Sequence, residues 1–180
     1  QVGEAGGYLT DPAIHIPLPG YLQDARSVLR TVGGASLLTD LETQLNRAAE
    51  AAAPEARDIF AESIAQMTLA DAKKILNGPD NAATQYFRTT MTPDLRDTFR
   101  PVVETHMDRT GAMQTLDETV NTYDQIPFAG QLVDNAQGRL VDHGLDGALS
   151  GIFHYMAKEE AAIRQNPAKR TTDLLKRVFG

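Results

Sequence analysis

Apolar residues recur along most of the chain at intervals of three and four, the spacing that gathers one face of an α-helix. The first such stripe runs from Leu22 to Val32 and stops at Gly33 and Gly34, where a residue of positive φ ends a helix. Leu37, Leu38, Leu41 and Leu45 form the second, which continues into Ala48, Ala49 and Ala52, residues small enough to let a neighbouring helix approach closely. Pro54 starts or kinks the helix of Ile59, Phe60, Ile64 and Met67, and Thr68 with Asp71 reads as a capping box for a short helix to Leu76. Asn77, Gly78 and Pro79 break the pattern there.

Thr92 and Pro93 read as an N-cap and first-turn pair for a long helix bearing Leu95, Phe99, Val102, Val103 and Met107, which Gly111 ends. Thr115 and Glu118 are placed to cap the next helix, and residues 126–130 to form a loop. From Leu132 to Gln165 the chain reads as helix, with Leu149, Ile152, Phe153 and Met156 on its stripe and Gly144, Gly147 and Gly151 as weak points. Asn166 and Pro167 restart it, and Leu174, Leu175, Val178 and Phe179 supply a last apolar stripe.

Residues 1–20 break this rhythm with Gly and Pro, and each X-Pro step disfavours helix before it. Ile14, Ile16 and Leu18 alternate with His15 and Pro17, which predicts an extended arm lying on the helices with one side buried. No segment sustains strand alternation and no repeat of 20 to 50 residues appears. The expected fold is all-α, a single irregular multi-helix bundle over residues 21–180 with an extended Pro/Gly-rich N-terminal arm over residues 1–20.

A chain of 180 residues suits one domain with a real core. It contains no Cys, which removes thiolate-held cofactors. No apolar run approaches the roughly 20 residues that span a bilayer, and the start at Gln1 rather than Met is what a trimmed, mature product would show. The net charge of −7 is unevenly placed, because from Lys158 onward six basic residues face three acidic ones and the body before them carries −10. Such a body excludes general nucleic-acid binding, whose affinity comes from accumulated Lys and Arg.

Several stretches together carry a family resemblance: DPAIHIPLP, NRAAEAAAPEARDIF, DAKKILNGPDNAATQYF, EEAAIRQNP and RTTDLLKRVF. From about Tyr8 to Phe179 the chain resembles the uncharacterised bacterial family called domain of unknown function 4197. The resemblance implies an all-α, exported protein, periplasmic or envelope-associated, whose precursor carries a signal or lipoprotein-type leader; it implies no activity. The chain departs from the family pattern at Ser150, where an Asp is expected, so no carboxylate site is carried over through that position.

Among candidate sites, Glu42, Asn46 and Glu50 recur every fourth residue beside the leucine stripe, and Asn46, Arg47 and Glu50 could line a polar pocket or close a network that fixes helix packing. Gly78, Pro79, Asp80 and Asn81 open a helix that could hold an anion, although Asp80 or Asn81 as a plain cap is the simpler account. Tyr86 and Phe87 point about 100° apart, so one faces the core and the other borders a cleft. With Phe60, Phe99, Phe128, Phe153 and Tyr155 they outline either an ordinary core or a cavity for a lipid-like molecule.

The four histidines make no close metal-binding pair. Asp142, His143 and Asp146 could hold a cation weakly or form a solvated surface, and Ser150 lacks a nucleophile elbow. In the basic ending, Arg164 and Arg170 are the best anion clamp, with Glu159 and Glu160 the nearest carboxylates that could neutralise them instead.

These readings point to a non-catalytic binding or interaction module for a small apolar, amphiphilic or anionic ligand or an envelope partner protein, with no cofactor, metal ligand or catalytic residue assigned. The rival is an enzyme using Glu50 and Glu159 with Arg47 or Arg164, metal-assisted or not, and the third reading is a purely structural helical protein. Convergence of those side chains in an open cleft, as against their pairing in a closed network, separates the readings.

Overall fold

The computed structural model describes residue 3, residues 6–127, residue 129 and residues 131–166. Among them the chain is helical with no strand, as its periodicity requires. The helices are α1 (Gly7–Thr10), α2 (Gly20–Arg30), α3 (Ala35–Ala52), α4 (Ala56–Ala65), α5 (Leu69–Leu76), α6 (Ala82–Tyr86), α7 (Thr92–Thr110), α8 (Ala112–Asp124) and α9 (Ala136–Gln165). Phe128, Arg170 and the last apolar stripe lie outside the described residues.

α3 is the central element, in contact with α1, α2, α7, α8 and α9. Its leucines Leu38, Leu41 and Leu45 are buried, and Ala48, Ala49 and Ala52 behind them stop at Cβ, which lets the neighbours close on it. Pro54 sits in a 3-10 turn (Ala53–Glu55) that turns α3 into α4. Thr68 accepts the Asp71 N–H at 3.1 Å and opens α5 as expected.

Three boundaries differ from those expected, each for a local reason. Thr92 is no cap, because a π-helical turn (Phe87–Met91) carries α6 into α7, and the Thr92 hydroxyl donates to the Arg88 carbonyl at 2.7 Å. α8 begins at Ala112, directly after Gly111 at φ 81°, rather than at Thr115. α9 begins at Ala136, where Asn135 takes a left-handed backbone (φ 52°) and its side chain accepts the Gly138 N–H at 3.3 Å.

Residues 11–19 cross the helices without forming one, and Ile14, Ile16 and Leu18 are all buried. The chain before them is less extended than expected, since Gly7–Thr10 makes a helical turn that buries Tyr8 completely. Phe60, Phe87 and Phe153 meet edge to face, with centroids 5.2 and 5.9 Å apart, and Phe99 is buried, so these rings are core. Ile64, expected on the inner stripe, is 55% exposed.

Candidate functional site

The polar edge of α3 is used up by the chain's own N-terminal strap. Asn46, fully buried, accepts the Ile16 N–H at 2.9 Å and donates to the Ile16 carbonyl at 2.8 Å, so its amide imitates a neighbouring strand. One turn later Glu50 accepts the N–H groups of Tyr8 and Leu9, both at 3.1 Å, which caps α1 with a carboxylate. One turn earlier Glu42 meets His15 Nε2 at 2.9 Å. Arg47 is exposed on another face and does not join Glu50, so the pocket reading of Asn46, Arg47 and Glu50 gives way to a closed network.

The opposite side of the strap is held by α9. A Cβ on Gly151 would lie 2.5 Å from the Tyr8 ring, and one on Gly147 would lie 2.8 Å from Ile16. These glycines, read as weak points, are the seats into which two strap side chains fit. The Tyr8 hydroxyl donates to the Ala148 carbonyl at 2.6 Å, and burial pushes its pKa well above the usual phenol range. His143 donates to the Pro17 carbonyl at 2.6 Å, and Tyr155 bonds Asp11, whose carboxyl this hydrogen bond holds below the usual range.

At the far end of α9 a second network closes. Glu160 accepts the N–H groups of Ala83 and Thr84 at 2.8 and 2.9 Å and the Thr84 hydroxyl at 2.9 Å, so it caps α6 from outside. Arg164 pairs with Glu160 at 2.9 Å and donates to the Ile75 and Leu76 carbonyls at 2.7 and 3.3 Å, at the negative end of α5. Their side chains are only 10% and 9% exposed.

The pair thus serves both helix ends that flank Gly78 and Pro79. An anion does sit at the start of α6, but it is the protein's own carboxylate, and neither Asp80 nor Asn81 caps the helix. Asp80 bonds Gln165 instead, and Asn81 accepts from Gln85 at 2.9 Å. Arg164 is engaged internally rather than offered to a ligand, and Glu159 is exposed beside this network without joining it.

Asp142 and Asp146 are likewise paired, with Arg96 and Arg100 of α7. Among the described residues no group of His, Asp and Glu is placed to hold a metal ion.

What stays open is a groove of about 1000 Å³ between α6 and the C-terminal half of α9. Its floor is Phe153, Ala157 and Ala161, and its polar rim includes Arg88, Lys158, His154 and Gln85 together with Asp80, which is bonded to Gln165. The Arg88 guanidinium stacks 5.3 Å from the Phe153 ring centre and the Lys158 ammonium 5.1 Å from that of Tyr155. Neither cation is within ion-pair distance of a carboxylate among the described residues, although Lys158 lies near enough to Asp11 to help lower that carboxyl's pKa. Nε2 of His154 is buried with no hydrogen-bond partner there. Ser150 lines the same groove one turn before His154, but no hydrogen bond joins the two among the described residues.

Of the aromatic pair, Phe87 is buried in the core and Tyr86 turns towards Asp71 of α5, so neither lines the groove. The residues that do were not legible as a set. Arg88 and Lys158 lie 70 positions apart and belong to no motif. The available signal was the small, aromatic and basic face of α9 at Phe153, Ala157, Lys158 and Ala161.

An irregular helical bundle with a strapped N-terminus and an open groove rimmed by Arg88 and Lys158 defines a class of small all-α proteins. The whole chain, residues 1–180, matches the family described as protein of unknown function DUF4197, and it belongs to that family. No curated protein and no solved structure matches it.

Proposed function

We propose that this protein is a non-catalytic binding module of the cell envelope, and that the groove between α6 and α9 receives a small anionic ligand with an apolar body. The observation that carries the reading is the pair Arg88 and Lys158, which rest on aromatic rings and keep their hydrogen-bonding capacity for a visitor. Both cations line a volume at the upper end of small-molecule sites. Stacking on a ring helps hold a long side chain in place, which lowers the entropy lost when it clamps an anion. Phe153 and the two alanines below give an apolar body a surface to cover.

The enzymatic alternative loses its reagents, because Glu50 is occupied as a cap and Arg164 by Glu160 and the Ile75 carbonyl, while Arg47 and Glu159 stand exposed outside both networks. The location in the envelope rests on the family resemblance; no described helix is long and apolar enough to cross a membrane.

Native mass spectrometry of the protein purified from its host's envelope fraction, followed by denaturing extraction, tests the reading. An anionic small molecule that comes off the wild type and is lost from the Arg88→Gln, Lys158→Gln double variant is expected. Ligand-free protein in both preparations, or absence of the protein from that fraction, would count against it.

A further inference from the structure

α4 carries two unlike flanks. Asp58 and Glu62 lie on one, where Glu62 lines a small recess with Asp94 of α7. On the other, Arg57, Ala61 and Ile64 border a trough of about 400 Å³ between α4 and the middle of α9. The trough exists because its α3–α4 side is built of alanines, Ala53, Ala56 and Ala61, whose side chains end at Cβ. Phe60 and Ile152 floor it, both less than a tenth exposed, while Ile64 stands 55% exposed at its wall. Met156 closes the α9 side with an unbranched side chain that adapts to what lies against it.

Arg57 is the single charged residue of that lining. It forms no ion pair among the described residues and is exposed at the rim. A bare hydrocarbon would cover the apolar floor but leave this guanidinium without an anion. A partner helix, 10 to 12 Å across with its side chains, is too thick for a volume at the lower end of small-molecule sites. A chain of methylenes ended by an acid matches both features, because its body needs only width for one chain and its head meets a planar fork of donors.

We propose that this trough is a second ligand site, separate from the α6–α9 groove, which takes a single acyl chain ended by a carboxylate, with the chain over Phe60 and Met156 and the carboxylate at Arg57.

Titration of the full chain with decanoate below its micellar concentration, followed through the ε-methyl signal of ¹³C-labelled Met156, tests it. Met156→Leu assigns that signal, and the buried Met107 serves as the internal reference. The expected result is a saturable shift of Met156 alone, about tenfold tighter for decanoate than for octanoate, the gain of two buried methylenes. Arg57→Gln should weaken decanoate about tenfold and leave decanol unchanged. Ala61→Phe, at an exposed position, should abolish the shift without altering the melting temperature.

A Met156 signal that does not move, an equal response to decanol and decanoate, or full binding by Ala61→Phe would overturn the proposal. So would a concentration-dependent dimer that Ala61→Phe dissolves, since the trough would then be a contact between copies. The Arg88→Gln, Lys158→Gln variant should bind decanoate like the wild type; loss of the Met156 shift there would move the ligand to the other groove.

Discussion

The side-chain amide of Asn46 exchanges two hydrogen bonds with the backbone of Ile16, thirty residues earlier in the chain, and a third with the Glu42 carbonyl at 2.8 Å. Both atoms of Ile16 are thereby satisfied away from water, where an unpaired amide or carbonyl costs about 1–3 kcal/mol. Asn46→Ala should therefore destabilise the protein by about 2–4 kcal/mol. The loss should begin locally, with faster hydrogen exchange at the Ile16 amide than in α7. Unchanged protection at Ile16 would mean that its side-chain packing alone holds the strap.

Gly151 and Tyr8 test the other side of the same strap. Replacing Gly by Ala inside a helix ordinarily gains about 1 kcal/mol. Here the new Cβ would lie 2.5 Å from a ring that is fully buried and tied by its hydroxyl to Ala148, so it has nowhere to retreat. Overpacking costs about 1–3 kcal/mol, and Gly151→Ala and Gly147→Ala should both lower the denaturation midpoint. Gly20→Ala, with nothing within 4 Å, is the control that should not. A stabilised Gly151→Ala would show that Tyr8 can leave its seat.

The contrast between these glycines and the helix stripes explains what was legible in the sequence. A stripe such as Leu38, Leu41 and Leu45 is a local pattern with one physical meaning, so the bundle could be read directly. Gly147 and Gly151 looked like weak points because helix propensity is local, whereas their role is set by Ile16 and Tyr8, more than a hundred residues away. The same holds for Glu160 and Arg164. Their mutual pairing could be anticipated from spacing, but their tasks depend on the ends of α5 and α6. Arg88 and Lys158 had no local signature, since an isolated cation is the commonest thing on a protein surface.

Tyr8 also gives the fold an alkaline limit. Burial raises its pKa, so the folded state holds the phenol proton more tightly than the unfolded chain does. That contribution is fully present below the unfolded value of about 10 and is lost as pH climbs above it. Tyr21, pushed up to about 12 by burial, acts in the same window. Denaturation midpoints should thus be flat with respect to tyrosine titration up to about pH 9 and fall beyond about pH 10. Tyr8→Phe should lose about 1 kcal/mol at neutral pH through the missing bond to Ala148 and show a shallower alkaline fall, with the remainder due to Tyr21, Tyr86 and Tyr155, whose pKa values are raised as well. An equal alkaline slope in wild type and variant would refute the assignment.

Glu160 is a cap, an ion-pair partner and a tether at once, and the three roles can be separated. Glu160→Gln keeps the shape and one acceptor but removes the charge that faces the Ala83 and Thr84 amides and Arg164. At one-tenth exposure the pair is poorly screened, and removing one partner of such a pair costs about 3–5 kcal/mol. The neutral, isosteric replacement should sit at the lower end, about 3 kcal/mol. Because the tether joins α9 to only two short helices, the damage should appear first as hydrogen exchange at Ala83 and Thr84, while the Ile16 amide stays protected by its own clamp. A cycle with Arg164→Met then separates the cap from the ion pair: a coupling near zero would assign the whole effect to the α6 amides. Simultaneous loss of protection at Ile16 and Thr84 would instead show that the α9 end and the strap unfold as one unit.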